Sequence, residues 1–393
     1  MLFALTMEEI NKFKIAYCLP SLYIAGGMER VLTLKANYFA ENFNYDIWIV
    51  LTDGKEKKPY FELSPKINVI NLDLNFDEMF GQPFYKRVVQ YLRKQYIYKK
   101  KLRKCLCELR PDITVSMLRR EITFLPFIPD GSRKIGEAHV NRVNIHNAFG
   151  NKMNLVKRFI SKYWMSRLMR ALGMLDKFVI LTHEDVANWG GLDNIEVINN
   201  PLTFFPERTS TCCEKNVIAV GRYLPEKGMD LLVDAWERVS RKHPDWVLKI
   251  YGDGPRNVLL DQIVRLNVSQ NCFLEKPVAN IVDKYLESSV LVLSSRFEGF
   301  GMVMPEAMAC GLPVVAFSSY GPREIIHPDK DGILVENGNV EEFAKKICYL
   351  IENEQSRKKM GEQARINVQR LKIEYIACQW RDLFESLFAE KRK

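Results

Sequence analysis

Short runs of β-branched and other apolar residues alternate with stretches of helical periodicity along the whole chain. In the first half, the runs that we interpret as strands are Lys14–Pro20, Asp46–Thr52, Ile67–Asp73, Asp112–Leu118, Lys134–Val140, Lys177–Thr182 and Ile195–Asn200. In the second half they are Asn216–Arg222, Trp246–Tyr251, Cys272–Glu275, Val290–Ser295, Pro313–Phe317 and Gly332–Glu336. Strands that alternate with helices build parallel sheets covered by helices on both faces. The pattern therefore predicts an α/β fold of doubly wound sheets.

The chain is expected to divide into two such domains, because its 393 residues exceed one ordinary domain. Residues 201–215, between the two sets of strands, contain two prolines and a Thr/Ser cluster without periodicity, which is typical of a hinge. We place one domain at residues 1–200 and the second at residues 201–372. Residues 373–393 predict a C-terminal helix, because apolar residues recur there at helical spacing: Ile376, Trp380, Leu383, Phe384 and Leu387.

Composition favours a globular protein of a reducing compartment. Hydrophobic residues make up 47% of the chain and charged residues 27%, which supports full-sized cores and argues against extensive disorder. The nine cysteines are odd in number and form no CxxC pair, so we expect a cytoplasmic location. No uncharged apolar run approaches the ~20 residues that a membrane span needs. The sequence therefore predicts a soluble or surface-bound protein.

Basic residues concentrate in two segments of the first domain. Residues 84–110 contain ten Lys or Arg and one Glu, and residues 151–173 contain six and no acidic residue. The whole chain has a formal net charge of +9, so the rest of it is net acidic. The partner of the basic segments should therefore be anionic locally rather than everywhere.

Both basic segments also carry apolar and aromatic residues at helical spacing. They are Tyr85, Val88, Val89, Leu92 and Tyr96 in the first segment, and Phe159, Tyr163, Trp164 and Met165 in the second. In an ordinary amphipathic helix such a stripe faces the protein core. The combination of exposed aromatics with cations is instead typical of helices that lie on an anionic membrane. Because the two segments occur together, we favour membrane docking, on the inner face of the cell membrane.

Gly26 and Gly27 follow the first predicted strand and precede a predicted helix. A glycine pair at a helix N-terminus lets backbone amides approach an anion such as phosphate. Glycine turns between strand and helix are also common for purely geometric reasons. The pair does not form G-x-G-x-x-G, which argues against a nicotinamide-dependent dehydrogenase.

Arg222 and Lys227 flank a proline-containing loop at the end of the predicted strand Asn216–Arg222. Cations at the carboxyl end of a strand suit a diphosphate, with arginine as a bidentate donor and lysine as a point charge. The alternative is a pair of ordinary surface cations. Lys227 lies near the start of a helix, where a cation is mildly unfavourable, and this favours a functional role.

The segment from Ser294 to Gly311 contains two carboxylates around a glycine-rich turn. Glu298 lies in the loop after a buried strand, and Glu306 lies eight residues later in a predicted helix. Amides of Gly299–Gly301 are candidates to hold phosphate, while the carboxylates bind sugar hydroxyls. Glu306 has apolar neighbours, among which an unpaired carboxylate would be costly, so it requires a partner, for which a ribose diol is suitable.

The triplet Asp329-Lys330-Asp331 has the D-x-D spacing of some manganese sites. Asp331 precedes Gly332 and an apolar strand, which is first of all a turn signal. We therefore interpret the triplet as a turn and expect no metal cofactor, because two cations can stabilise a leaving diphosphate electrostatically.

The chain resembles the family 4 retaining glycosyltransferases. The resemblance is carried by Phe297-Glu298-Gly299-Phe300-Gly301, Pro305-Glu306-Ala307-Met308-Ala309, Gly221-Arg222 with Lys227-Gly228, the Gly26–Gly27 turn, and Tyr251-Gly252-Asp253-Gly254-Pro255. It implies the GT-B fold, in which two Rossmann-like domains face a central cleft and the C-terminal helix returns to the N-terminal domain. It also implies that the first domain binds the acceptor and the second the nucleotide sugar.

The same resemblance implies a role for individual residues. Arg222 and Lys227 would grip the donor diphosphate, with the amides of Gly26, Gly27, Phe300 and Gly301 completing the clamp. Glu306 would bind the ribose hydroxyls, and Glu298 would contact the donor sugar near its reacting carbon. Glu137-Ala138-His139 is similar to a family segment whose histidine lies beside that sugar; His139 could equally be a strand-capping residue.

The implied activity is transfer of a hexose or N-acetylhexosamine from a UDP-sugar, or a GDP-sugar, to a glycan acceptor. We expect that acceptor to be lipid-linked and the pathway to be surface polysaccharide synthesis. A UDP-GlcNAc 2-epimerase is an alternative on the same architecture, and it would need no acceptor. A nucleic-acid binder could use the basic segments, but a set of donor-site motifs argues against it.

Overall fold

The computed structural model describes residues 12–79, 81, 83–139 and 155–389, and it divides the chain into two compact units. The first unit comprises Met1–Leu181, Asp185–Pro201 and Ile376–Lys393, and the second comprises Thr182–Glu184 and Leu202–Tyr375. All thirteen predicted strands are present, usually ending a few residues earlier than predicted. The predicted strand end at Val140 lies outside the described residues. Each unit contains one parallel sheet covered by helices, so the prediction of a doubly wound α/β fold is confirmed.

The sheet of the first unit has seven parallel strands in the order β3-β2-β1-β4-β5-β6-β7. Its strands are β1 Lys14–Leu19, β2 Asp46–Leu51, β3 Asn68–Asn71, β4 Ile113–Ser116, β5 Arg133–Glu137, β6 Lys177–Ile180 and β7 Ile195–Val197. The described helices of this unit before residue 200 are α1 Gly27–Asn42, α2 Phe84–Leu109, α3 Leu155–Gly173 and α4 Asp185–Asn188. The strands are continuous apolar runs because helices cover both faces of a parallel sheet.

Helix α2 faces the core with a different stripe from the one noted in the sequence. Tyr98, Leu102 and Leu106 are fully buried and pack in one cluster with residues of β1 and β2. Tyr85 and Leu92, by contrast, are 66% and 63% exposed. The alternative in which the stripe that contains Tyr85 and Leu92 faces the protein core is therefore wrong for α2.

Helix α3 buries Leu168 and Leu172, while Tyr163 and Trp164 are exposed. Met165, which we grouped with those aromatics as a surface residue, is partly buried and packs against the core of the unit. The expectation for Met165 is therefore wrong, because it lies one turn before Leu168 on the core-facing side. The start of the basic segment, residues 151–154, lies outside the described residues, as does the side chain of Phe159.

The sheet of the second unit has six parallel strands in the order β10-β9-β8-β11-β12-β13. They are β8 Asn216–Val220, β9 Val247–Tyr251, β10 Cys272–Glu275, β11 Val290–Leu293, β12 Val314–Phe317 and β13 Gly332–Val335. Its helices are α5 Met229–Lys242, α6 Asn257–Arg265, α7 Ile281–Leu286, α8 Val303–Ala309, α9 Tyr320–Ile325, α10 Val340–Glu352 and α11 Glu354–Asn367. On one side of β8 the chain adds β9 and then β10. It then crosses to the other side of β8, where β11, β12 and β13 follow in order. The loops after β8 and β11 are therefore neighbours, and such a switch point is where open α/β sheets bind ligands.

The last helix, α12, spans Ile373–Ala389 and packs against the first unit from Ile376 onward. Phe384 is fully buried, with ring centroids 5.9 Å from Phe39 and 6.4 Å from both Phe13 and Tyr45. One turn earlier, the Trp380 ring lies 4.2 Å from the Lys35 ammonium. Within the described ranges, none of the helices combines the length and apolarity that crossing a bilayer requires.

Candidate functional site

Two loops meet at the carboxyl edge of the second sheet, one after β8 and one after β11. Lys227 Nζ, from the first loop, lies 2.7 Å from Glu298 Oε2, from the second. The same carboxylate oxygen accepts a hydrogen bond of 3.1 Å from Ser295 Oγ. The structure therefore brings together a cation and a carboxylate that the sequence placed 71 residues apart.

Gly228 allows this close approach. Its φ is +62°, and a Cβ at this position would lie 2.1 Å from the carbonyl oxygen of Ser294. Ser294 Oγ also donates to the carbonyl of Lys227 at 3.1 Å. A larger residue would therefore push the two loops apart at the point where Lys227 and Glu298 meet.

Arg296 ties the two loops together and was not identified from the sequence. Its guanidinium makes two parallel hydrogen bonds to Asp230, with Nη1–Oδ1 at 2.7 Å and Nη2–Oδ2 at 2.5 Å. The Arg296 amide also donates to the carbonyl of Glu226 at 2.9 Å. The two hydrogen bonds from the Arg296 guanidinium hold the pKa of Asp230 below its usual value. No spacing in the sequence links Arg296 to Asp230, so only the fold shows this pair.

The turn before α8 has the geometry expected of an anion-binding loop. Gly301 has φ +80°, and a Cβ there would lie 2.8 Å from both Glu298 Cγ and Met304 Cε. Among the residues described, the amides of Phe300 and Gly301 donate to no other group. Amides that are fixed by a turn and are not used within the protein can bind an anion.

Glu306 has a partner that the sequence did not indicate. The carboxylate is 4% exposed, and Thr203 Oγ1 donates to its Oε1 at 2.7 Å. Thr203 lies 103 residues away, in the segment that we predicted to be a hinge. The expectation that Glu306 needs a partner is therefore confirmed, and for one of its oxygens that partner is a protein hydroxyl.

Arg222 lies apart from the contact between Lys227 and Glu298. Its side chain is 70% exposed, and Nη2 lies 3.9 Å from Glu226 Oε1. An exposed pair at this distance contributes little energy, so it does not fix the guanidinium. The structure thus brings Lys227 into contact with Glu298, which lies beside Gly301, and leaves Arg222 exposed in the same loop as Lys227.

In the first unit, Gly26 and Gly27 begin helix α1, as predicted. A Cβ on Gly27 would meet no atom within 4 Å, whereas one on Gly26 would lie 2.0 Å from Glu29 Oε2. The Glu29 carboxylate therefore lies at this helix N-terminus, where the sequence suggested that the backbone amides bind an anion such as phosphate.

His139 follows a buried pair of charged residues. Lys35 Nζ contacts Glu137 Oε1, and both side chains are at most 2% exposed. His139 Nε2 lies 3.1 Å from the same oxygen. Burial alone would raise the pKa of Glu137, but Lys35 and His139 outweigh it and lower the pKa to about 2. Lys35 was not identified from the sequence, because a lysine in an amphipathic helix is normally a surface residue.

The D-x-D triplet forms a hydrogen-bonded turn. The Asp331 carboxylate accepts bonds from His327 N at 2.8 Å and from Asn367 Nδ2 at 2.7 Å, and His327 Nδ1 lies 2.9 Å from it. The backbone of Asp329 is in the left-handed region, with φ +63°. These bonds occupy the Asp331 carboxylate within the protein.

One set of possible metal ligands is present in the part of the chain that is described. His243, Cys348 and Glu352 offer ligand atoms within 4.8 Å of one another. His243 and Glu352 are at the C-terminal ends of α5 and α10, which face the amino edge of the parallel sheet. The set is therefore on the opposite edge from the Lys227–Glu298 contact.

Comparisons with known proteins agree on one family. Residues 209–367 match the family model described as glycosyl transferases group 1. The chain is 30% identical over 384 residues to an uncharacterized glycosyltransferase of Haemophilus influenzae, covering 94% of this chain and 99% of that relative. It is 26% identical over 391 residues to an amylovoran biosynthesis glycosyltransferase of Erwinia amylovora, with 94% and 99% covered.

The fold is also shared with a solved structure. A crystal structure of a Staphylococcus aureus TarM mutant, in complex with fondaparinux, α-GlcNAc-glycerol and UDP, matches with a TM-score of 0.73 at 19% identity. The match covers 95% of this chain and 99% of that one.

Replacement of Lys35 by Met should destabilise the first unit by about 3–5 kcal/mol, because Glu137 would be left as an uncompensated buried charge. The double variant Lys35→Met/Glu137→Leu should recover most of that loss. The free energy of unfolding, from chemical denaturation, measures both effects. Lys66→Met, at an exposed lysine of the same unit, is the matched control.

The free energy of unfolding of the wild-type protein should fall at acidic pH because of Glu137. Because the pKa of Glu137 falls from 4.5 to about 2 on folding, the stability that this group contributes is present above pH 4.5. It is lost as the pH falls toward 2, so wild type should lose stability relative to the double variant over that range. A Lys35→Met single variant as stable as Lys66→Met would contradict the role of the pair.

Proposed function

This chain belongs to the group 1 glycosyl transferases, and we propose that it transfers a hexose or an N-acetylhexosamine from a nucleotide diphosphate to a glycan hydroxyl. The observation that carries this proposal is the contact of Lys227 with Glu298, 2.7 Å apart, beside a glycine turn at the switch point of the second sheet. A cation for a diphosphate thus lies next to a carboxylate for sugar hydroxyls.

We propose a UDP-sugar as donor, with a GDP-sugar as the alternative. UDP is bound in the TarM structure, which shares the fold. In this chain, Arg222 and Lys227 would bind the diphosphate together with the amides of Phe300 and Gly301. Glu306, held by Thr203, would accept hydrogen bonds from the ribose diol.

Glu298 would contact the donor sugar, and its bond to Lys227 links sugar and diphosphate binding. In the first unit, to which we assign acceptor binding, His139 would act beside the sugar, and its Nε2 lies 3.1 Å from Glu137 Oε1. The amides of Gly26 and Gly27 are further candidates for phosphate contacts, which require the Glu29 carboxylate to move.

The reaction that we propose is a front-face substitution with retention of configuration. The bond between the sugar C1 and the diphosphate oxygen breaks, and a bond from C1 to the acceptor oxygen forms. The hydroxyl proton passes to the departing phosphate oxygen. Arg222, Lys227 and the turn amides stabilise the negative charge on the leaving group, so no side-chain nucleophile is needed.

We propose a lipid-linked glycan acceptor, in surface polysaccharide synthesis, at the inner face of the cell membrane. The similar protein of Erwinia amylovora is named for amylovoran biosynthesis. The exposed apolar residues of α2 lie among cations, as expected of a helix that contacts an anionic membrane. Nucleic acid is not among the partners that we propose.

The variants Glu306→Ala and Arg222→Ala should each lower turnover by a hundredfold or more, since a lost charged contact at the transition state costs about 3 kcal/mol. Glu298→Ala should lower turnover more than donor affinity. Release of nucleotide from UDP-sugars, with and without a glycan acceptor, measures these effects. Glu306→Gln keeps an acceptor for Thr203 and separates loss of charge from loss of folding.

Glu341→Ala, at an exposed acidic residue of α10, is the matched control for that series. Near-normal turnover in all three folded alanine variants would refute the site assignment. Conversion of the UDP-sugar without any acceptor would favour the epimerase instead.

Turnover should persist in EDTA, because Arg222, Lys227 and the turn amides supply the positive charge that a divalent ion would otherwise provide. The nucleotide-release assay in the presence of EDTA, then with added Mn²⁺, tests this. Activity that disappears with EDTA and returns with Mn²⁺ would show that the reaction requires a metal.

The protein should sediment with vesicles containing anionic lipid, and less so at high salt, because each cation near the surface contributes about 1 kcal/mol. Lys99→Glu/Lys100→Glu should weaken this binding. Lys101 is left unchanged, because its ammonium donates to the carbonyl of Leu72 at 2.6 Å. A double reversal in the second unit, Lys276→Glu/Lys330→Glu, is the control. Absence of binding at low salt would leave α2 as an ordinary solvated helix.

A further inference from the structure

The N-terminal half of α2 borders a groove that the proposed donor site does not use. The groove lies between α2 and the short helical turn Phe76–Met79, and its volume is about 260 Å³. Val88, Tyr91 and Leu92 line one side and Phe76 lines the other. Small-molecule sites usually enclose roughly 300–1,000 Å³, so this groove suits one end of a ligand rather than a whole one.

The lining is mainly apolar and is continuous with exposed apolar surface. Phe76 is fully buried, and its ring is 6.1 Å from the Tyr91 ring in an edge-to-face arrangement. Val88 and Leu92 are 41% and 63% exposed. An apolar chain could therefore enter the groove along the stripe that α2 presents to solvent.

Two arginines line the same groove. Arg120 lines it, with its guanidinium 4.3 Å from the centre of the Phe76 ring and Nη1 3.4 Å from Asp53 Oδ2. Asp53 also accepts a bond from the Phe76 amide at 2.6 Å, so ring and guanidinium are held by one carboxylate. Since a guanidinium has five donors, Arg120 keeps others for a ligand.

Arg87 also lines the groove, and it makes no ion pair with any residue that the structure describes. The nearby acids are already partnered. Glu78 lies 3.5 Å from Lys94 Nζ, and Asp77 accepts a bond from Tyr23 OH at 2.8 Å. Arg120 is offset by Asp53, so Arg87 is the lining cation that no carboxylate of the described residues pairs with.

The groove also lies at the edge of the sheet where ligands are expected. Asp53 follows β2 and Arg120 follows β4, so both come from the carboxyl ends of strands of the first sheet. In open parallel sheets, ligands bind at this edge.

We propose that this groove binds the lipid phosphate end of the acceptor, with the phosphate on Arg87 and Arg120 and the first part of the apolar chain against Val88, Tyr91 and Leu92. The inference rests on the proposed function, because it names the chemical class of the acceptor and its place in the first unit. It commits to a single amphipathic phosphate, not to the bilayer surface. Neither an apolar ligand nor an inorganic anion alone would use both the rings and the arginines.

The test measures binding of decyl phosphate, below the concentration at which it aggregates, by isothermal titration calorimetry. Decanol and inorganic phosphate are the two half-ligand controls. Wild type should bind decyl phosphate saturably, at least tenfold more tightly than either control. Arg87→Gln and Leu92→Ser should each weaken that binding about tenfold, and both changes are at exposed positions, where folding is unaffected. Arg103→Gln, at an exposed arginine on the same helix outside the groove, should have no effect.

Equal affinity in Arg87→Gln and Arg103→Gln would overturn the proposal. So would binding of phosphate as tight as that of decyl phosphate, which would indicate a simple anion site. Binding only above the aggregation concentration would indicate a general membrane surface and would also overturn it. Nucleotide release from the UDP-sugar, measured on the same variants, separates this proposal from the proposed function. If release still depends on Glu306 while decyl phosphate does not bind, only the groove assignment fails.

Discussion

The close approach of the loops that follow β8 and β11 is the constraint on which the candidate donor site depends. At Gly228 the backbone of one loop lies so near the carbonyl of Ser294 that no side chain fits between them. This approach places Lys227 against Glu298, and the bidentate pair of Arg296 with Asp230 holds the loops in that position. The cation and the carboxylate thus meet with little freedom left, which is what catalysis by preorganised charge requires.

The two units place their charges in different ways. In the second unit, Lys227 and Arg222 remain accessible at the end of a sheet, where a polyanion can reach them. In the first unit, Lys35 and Glu137 are buried together, and replacing such a pair by apolar residues is often neutral or stabilising. Stability alone therefore does not explain the pair. His139 lies just beyond the end of β5, with its Nε2 3.1 Å from Glu137 Oε1.

Much of the candidate donor site could be proposed from the sequence because its parts are local in the chain. A buried run, a glycine-rich turn and a short helix with a carboxylate on either side all lie within residues 294–311. Local apolar pattern and turn residues specify such a unit without reference to distant residues. The partner of Glu306 could not be predicted in this way, since Thr203 is 103 residues away and has no periodic relation to it.

By itself, the sequence determined the number of the strands and their succession along the chain, because apolar periodicity and turn residues act over a few positions. It also carried the motifs through which the chain resembles glycosyltransferases, while the order of the strands within each sheet came from the tertiary structure. In the C-terminal helix α12, the apolar stripe seen in the sequence is the buried one, but only the tertiary structure decided which face of α2 is buried. In α2, two apolar stripes have similar spacing, and packing against β1 and β2 selects Tyr98, Leu102 and Leu106 for the core. The same packing leaves Tyr85 and Leu92 exposed beside a groove with two arginines. That choice depends on neighbours far apart in the chain, and no local pattern records it.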